Sequence, residues 1–391
     1  MMYTVKTLNQ ISPAGLRAFD PAHFVLDDGA ERPDALLCRS ADLHQYPFDP
    51  CLAAIGRAGA GVNNIPVEEC SRRGIAVFNT PGANAGAVKE MVLCALLLAS
   101  RKIPAALAWV QGLKGETDLQ KRVEAGKKAF IGPELGGKTL GVIGMGAIGI
   151  QVANTARHLG MEVIGYDPYM SVEAAWKVSR QIAHAASLEE VYQKSDYITL
   201  HVPYTADTKG MVDAAALAQM KDGVRLLNFA RGELVETPAL LAAVEGGKVA
   251  CYVTDFAQEE LLGVEGVVVL PHLGASTPES EDNCAVMAAR ELMDYLENGN
   301  IKNAVNLPTC RMARSGRVRV CVIHRNIPAM ITQISSALSG AGLNIENLVN
   351  KSRGEYAYTM LDLADELPEP VEGAIRAIEG VVRVRVLPRC E

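Results

Sequence analysis

The nine cysteines of this 391-residue chain are scattered, with no C-x-x-C pair among them. That spacing excludes a disulfide framework and a zinc site, and the thiols are expected to be reduced. Long apolar runs are also missing. The longest, "MVLCALLLA" (91–99), falls far short of the ~20 residues a membrane-spanning helix needs. The first residues, "MMYTVKTLNQ", lack the apolar core of a secretion signal. No membrane partner is expected, and the location is expected to be cytoplasmic. There is no excess of positive charge either. The formal net charge of −7 argues against a nucleic-acid surface, so an anionic substrate would need a local cationic pocket. Histidine is scarce, at seven residues, and no metal is expected.

What is present is ordinary globular composition, 49% apolar and 21% charged, at a length that suggests two or three domains. Residues 1–90 alternate short apolar strands ("YTVKTL", "ALLCRS", "AAIGRAG", "IAVFNT") with polar segments, the pattern of a small parallel α/β unit. A helical pattern covers 87–99. The Lys-rich stretch 111–128 is expected to be an exposed helical excursion without chemistry. From Leu140 a second run of strands and helices ("TLGVIG", "EVIGYD", "YITLHV", "RLLNFA", "ACYVTDF", "VVVLPH") predicts a doubly wound parallel sheet, with ligands at the carboxyl ends of its strands. A strong helix over 284–299 and a linker follow. From Val318 the order is βαββαβ, the ferredoxin-like arrangement.

"TLGVIGMGAIG" carries G-x-G-x-x-G at Gly144, Gly146 and Gly149, after a predicted strand and before a predicted helix. Gly144 permits the tight turn, Gly146 lets backbone approach a pyrophosphate, and Gly149 lets the helix pack closely. The helix start, through Ala147 and Ile148, presents N–H donors to phosphate. Asp167 ends the next strand, about twenty residues on, where a carboxylate suits ribose hydroxyls and repels a 2′-phosphate. The cofactor expected is NAD.

Three later strand ends carry polar groups. "LLNFARGELV" ends in Arg231, "YVTDFAQEEL" offers Asp255, Glu259 and Glu260, and "VVVLPHLGAST" offers His272. Singly, each has a dull reading: a turn-fixing Arg, solvated acids, a hydrogen-bonded His. In a parallel sheet these ends gather beside the cofactor. Together they supply an anion clamp, a proton carrier and a group to orient it.

These segments, with "HVPYTADT" (201–208) and "GRAGAGVNNIPVEECSRRGIAVFNTPGANAGAVKEMV" (56–92), resemble the D-2-hydroxyacid dehydrogenases, in particular the branch acting on 3-phosphoglycerate. The tail resembles an ACT domain. The resemblance implies a Rossmann-type NAD domain (93–279) inserted in a smaller flavodoxin-like α/β substrate domain (1–92 and 280–308). A linker (309–317) and a regulatory ferredoxin-like ACT domain (318–391) follow. It implies Arg231 on the substrate carboxylate, His272 as the base that takes the C2 hydroxyl proton, and Glu260 orienting His272. The family's usual "DVF-x-x-E-P" is "DFAQEE" here, which leaves Glu259 as the alternative acid. Pro203, Ala230 and Asp255 are implied cofactor contacts, Asp255 through the nicotinamide amide.

For the substrate, the resemblance implies Arg39, Ser40, Arg57, Gly59, Ala60 and Asn79. Arg39 and Arg57 would supply the cations that a phosphate requires. In the tail it implies an L-serine effector held by His324, Asn326 and Asn344, although "N-x-P-G" is "NIPA" here, with Ala329 in the glycine's place. The alternative is a tail used only for assembly. The resemblance also implies a homodimer or homotetramer. Two other functions stay open: dehydrogenation of another small D-2-hydroxy acid (2-hydroxyglutarate, glycerate, lactate), and an NAD-sensing binding protein on the same fold.

Overall fold

The computed structural model describes residues 2–388. The chain divides into two compact units, one made of the residues up to Asn84 together with those from Pro278 onward, the other of Ala85–Thr277. The compact units divide at 84/85, ahead of the expected 92/93. Ala85–Arg101 is one continuous helix, and its buried residues Val88, Val92, Ala95 and Leu96 all join the core of the second unit. A break at residue 92 would cut through it. The second boundary likewise falls at 277/278, ahead of the helix Pro278–Asn298.

The first unit opens with strands β1 (Tyr3–Leu8), β2 (Phe24–Leu26), β3 (Ala35–Cys38), β4 (Ala54–Arg57) and β5 (Ala76–Phe78). They form a parallel sheet in the order β2-β1-β3-β4-β5. Successive side chains point to opposite faces. Val5, Ala35, Leu37, Ala54 and Phe78 therefore join the cluster containing the helix Pro278–Asn298, while Leu36, Cys38, Ile55 and Val77 join the other. Ala285, Ala288 and Ala289 keep that helix slim on its buried side. Gly15, in the helix Pro13–Leu16, lies against Ala285 so closely that a Cβ would overlap it.

In the second unit, β6 (Thr139–Ile143), β7 (Glu162–Tyr166), β8 (Ala183–His184), β9 (Tyr197–Leu200), β10 (Val224–Asn228), β11 (Val249–Thr254) and β12 (Val267–Val269) form a parallel sheet. Its order is β12-β11-β10-β9-β6-β7-β8, and the strand order reverses between β6 and β9. The helices Ala85–Arg101 and Ala147–His158 cover one face, and Leu188–Lys194, Ala214–Gln219 and Thr237–Glu245 contribute to the other. The helices Ile103–Gly112 and Leu119–Gly126 have no buried residue, in keeping with an exposed excursion. No single helix among the described residues is long and apolar enough to cross a membrane.

The tail folds as β13 (Val318–Arg325), the helix Met330–Gly340, β14 (Ile345–Arg353), β15 (Tyr356–Leu363), the helix Glu369–Arg376 and β16 (Val381–Pro388). Its antiparallel sheet runs β14-β15-β13-β16, the ferredoxin-like order. The tail has a core of its own, in which Val320, Val322, Leu361 and Leu363 of the sheet meet Ile334, Leu338 and Ile375 of the two helices. Cys321, Ile323, Tyr358, Met360 and Leu387 share one hydrophobic cluster with Phe78, Tyr295 and Leu296, so the tail packs as part of the first unit.

Polar contacts reinforce this join. The last carbonyls of the helix Pro278–Asn298 lack intrahelical partners. Arg385 donates to the carbonyls of Tyr295 and Leu296 at 3.0 and 2.9 Å, Arg314 to Glu297 at 3.0 Å, and Arg319 to Asn298 at 2.8 Å. Cations at this end of a helix also complement its dipole.

Candidate active site

At the end of β6 the chain turns through Gly144, whose φ of +93° belongs to the left-handed region that favours glycine. A Cβ there would lie 2.6 Å from the His201 carbonyl oxygen. A Cβ on Gly149 would overlap the Gly144 carbonyl, so the helix Ala147–His158 approaches the turn as closely as backbone allows. Gly146 is different. It faces open space, and no side chain caps the helix it precedes. Its free N–H donors and open approach fit a pyrophosphate. Asp167, just past β7, accepts from the Met145 N–H at 3.0 Å and the Tyr169 N–H at 2.9 Å. The carboxylate thus fixes the glycine turn and keeps further lone pairs for ribose hydroxyls. The residues present fit a dinucleotide.

The neighbouring strands end at the same edge. His201 follows β9 and donates its backbone N–H to the Ile143 carbonyl at 2.7 Å. Its Nε2 lies 3.0 Å from Thr199 Oγ1, its Nδ1 is buried without a partner among the described residues, and burial pushes its pKa down to about 3. His201 therefore stays neutral at physiological pH. Pro203 opens an exposed loop and accepts from the Thr208 hydroxyl at 2.6 Å. Asn228, wholly buried at the end of β10, accepts from the Ala230 N–H and donates to the Arg231 carbonyl at 2.8 Å. It holds the turn that presents the exposed Arg231 side chain.

Asp255, past the end of β11, is 3% exposed. Its Oδ2 accepts from the Gly274 N–H at 3.3 Å, and Oδ1 has no partner among the described residues. Burial raises its pKa, and the nearby His272 and Arg231 oppose the rise. His272 follows β12 with its ring exposed, edge-on to Phe256 at 5.0 Å between centroids. Glu259 and Glu260 lie in the 3-10 turn Glu259–Leu261, both exposed, and neither hydrogen-bonds His272 among the described residues. Arg231, Asp255 and His272 are thus brought together, close enough for both cationic side chains to act on the Asp255 carboxylate.

The implied substrate residues gather in the first unit. Arg57 closes β4 and donates to the Arg39 carbonyl at 3.0 Å, just past β3. Its guanidinium lies over Gly59, where a Cβ would overlap Nη1. Asn79 donates to the Ala60 carbonyl at 2.6 Å, and Thr80 donates to the Gly59 carbonyl. Ser40 lies in the exposed turn after Arg39. Arg57 has no carboxylate partner among the described residues, and burial lowers its pKa. Arg39 is paired with Glu281 at 2.7 Å.

In the tail, His324 is a correction. It is 2% exposed, with Nδ1 2.7 Å from the Arg325 carbonyl and Nε2 2.9 Å from Thr359 Oγ1. Both nitrogens are engaged inside the sheet, so none is left for an effector. Asn326 is exposed and donates to the Gly354 carbonyl at 3.1 Å, and Asn344 is exposed. Ala329 adopts φ +64°, the conformation a glycine would take there.

Residues 93–274 match the family model for the D-isomer specific 2-hydroxyacid dehydrogenase NAD-binding domain. The particular relatives are narrower in kind. D-3-phosphoglycerate dehydrogenase of Archaeoglobus fulgidus is 38% identical over 265 residues, covering 66% of this chain and 48% of the relative. The enzyme of that name from Methanocaldococcus jannaschii is 35% identical over 318 residues, covering 80% and 57%. The chain thus spans about half the length of these curated relatives. A glyoxylate reductase crystal structure from "Paecilomyes thermophila" superposes with a TM-score of 0.62 at 25% identity, over 78% of this chain and 98% of that one.

Asn228, His201 and Glu281 were missed from sequence. Asn228 had a signal, a polar residue closing an apolar strand. Glu281 had none, because its partner Arg39 lies 242 positions away.

Proposed function

We propose that this protein oxidises 3-phosphoglycerate to 3-phosphohydroxypyruvate with NAD, the entry step to serine. The observation that carries the reading is the convergence, at one sheet edge, of the glycine turn, Arg231, Asp255 and the His272 loop. Gly144, Gly146, Ala147, Ile148 and Gly149 hold the pyrophosphate, Asp167 the ribose, and Pro203, Ala230 and Asp255 the nicotinamide side. Bound NAD supplies a hydride acceptor. Arg231 grips the substrate carboxylate with a planar fork that matches it. His272 takes the C2 hydroxyl proton while the hydride leaves C2, so the products are the 2-oxo acid, the reduced cofactor and one proton. Glu260 is assigned the orienting role, which requires its exposed side chain to reach His272. Arg57 and Arg39, with Ser40, Gly59, Ala60 and Asn79, take the phosphate end. The names of the relatives support this choice of substrate.

One observation favours the second reading, a plain D-2-hydroxy acid: Glu281 already neutralises Arg39. A cytoplasmic homo-oligomer belongs to the same proposal. The exposed Leu107, Val110 and Leu119 of the helical excursion support association. An L-serine effector is proposed at Asn326 and Asn344 alone.

The experiment is NADH formation by the purified chain with 3-phosphoglycerate, D-glycerate, D-lactate and D-2-hydroxyglutarate in parallel, each with and without L-serine. Preference for the phosphorylated acid supports the proposal. Preference for a plain acid moves it to the second reading, and no turnover in either direction removes it.

A further inference from the structure

A pocket of about 830 Å³ lies in the first unit, on the side of the helix Pro278–Asn298 that carries Asn283, Met287, Arg290 and Asp294. The segment holding Asn300, Lys302 and Arg311 forms another wall, and Ala14 and Ala83 complete the lining. None of the residues assigned above to cofactor, substrate or serine lines it. Its size is that of a small-molecule site.

Two features show that this pocket is built for polar recognition. Glu291 lines it at 7% exposure. One carboxylate oxygen accepts from the Asn303 side chain, and the other, Oε2, is buried with no partner among the described residues. A buried acceptor left unmade is costly, about 1–3 kcal/mol and more for a charged group. The second feature is three exposed cations, Arg290, Lys302 and Arg311, none paired with a carboxylate within 4 Å among the described residues. Asp282 and Asp294 also line the pocket. Asp282 is bound to Ser12, and Asp294 accepts from Asn298 and Asn300 at 3.0 Å each.

The charges specify what would fit. A simple anion would satisfy the cations and leave the Glu291 oxygen unmet. A simple cation would meet Glu291 and face three positive groups. A molecule carrying a carboxylate and an ammonium a few bonds apart satisfies both. We propose that this pocket binds a free α-amino acid, its ammonium beside the Glu291 carboxylate and its carboxylate on Arg290 and Arg311, with Lys302 adding charge.

Glu291 gives the site a pH signature. Burial pushes its pKa up to about 7, against the Asn303 hydrogen bond and the Lys302 charge, both of which lower it. The other charged groups lining the pocket are Arg290, Asp282 and Asp294 from its own helix and Arg311 from the facing segment. An ammonium prefers the ionised carboxylate. Affinity should therefore fall as the pH drops through 7, by about tenfold from pH 8 to pH 6.

The test is calorimetric titration of the full chain, without NAD or substrate, against each of the twenty standard amino acids. Ethanolamine, lacking the carboxylate, and D-lactate, lacking the ammonium, serve as controls. At least one amino acid is expected to bind. Glu291→Gln should weaken it tenfold or more and abolish the pH dependence. Arg290→Ala, an exposed change that leaves the buried cluster intact, should weaken it comparably. Binding by no amino acid, or binding indifferent to both substitutions, overturns the proposal. These readouts are independent of turnover, so they stand whatever the dehydrogenase assay gives.

Discussion

Asp255 accepts a hydrogen bond from the Gly274 backbone N–H at 3.3 Å, two residues beyond His272. This contact joins the loop after β11 to the loop after β12, and it explains how an exposed histidine is kept at the sheet edge. A buried carboxylate, one oxygen of which has no partner among the described residues, thus braces the loop that carries His272.

The His272 role predicts a large kinetic effect. His272→Asn should lower kcat by about 10²–10⁴-fold while NAD affinity changes little, as expected for loss of a general base. Steady-state rates and fluorescence titration of NADH would check both halves. Comparing Glu260→Gln with Glu259→Gln identifies the acid partner. Loss of the true partner should lower kcat with little change in NAD affinity, and loss of the other should leave both unchanged.

Gly59 predicts a specificity effect. A methyl group there would overlap the Arg57 guanidinium. Gly59→Ala should raise KM for 3-phosphoglycerate by roughly tenfold, about 1.4 kcal/mol of lost interaction. The kcat/KM for D-lactate should move less than twofold. Equal losses on both substrates would remove Arg57 from the phosphate site.

Arg319 and Asp362 form a two-pronged ion pair, 0% and 1% exposed, with bonds of 2.7 and 2.8 Å. Burial alone would raise the Asp362 pKa, but Arg319 and Ser315 outweigh it, and the carboxyl sits below its ordinary value. A depressed carboxyl pKa stabilises the fold above the unfolded value, roughly pH 4, and that stability fades as pH falls through the folded value. Urea unfolding at neutral pH should show Asp362→Ala destabilised by about 3–5 kcal/mol, since Arg319 is left buried and unpaired. Toward pH 2 the gap between variant and parent should narrow.

Ala329 predicts a gain. A left-handed alanine is strained by roughly 1–2 kcal/mol, and part of that is offset by the greater chain entropy of glycine. Ala329→Gly should stabilise the tail by up to about 1 kcal/mol, read as slower amide exchange in the helix Met330–Gly340 and β13.

Much of this molecule was legible in one dimension. Alternating apolar strands, the glycine turn at Gly144–Gly149 and the polar strand ends at Asp167, Arg231, Asp255 and His272 are local patterns. Period and turn chemistry express them without tertiary help. The short strands Phe24–Leu26 and Ala183–His184 were not legible, because their patterns are too brief to stand out. Packing alone decided the rest. It placed the tail against Tyr295 and Phe78, turned His324 inward, paired Arg39 with Glu281, and buried Glu291 with one oxygen unpartnered among the described residues. Each of these depends on residues far apart in sequence meeting in a low-dielectric interior. There burial fixes which polar groups must find partners, and no local pattern carries that information.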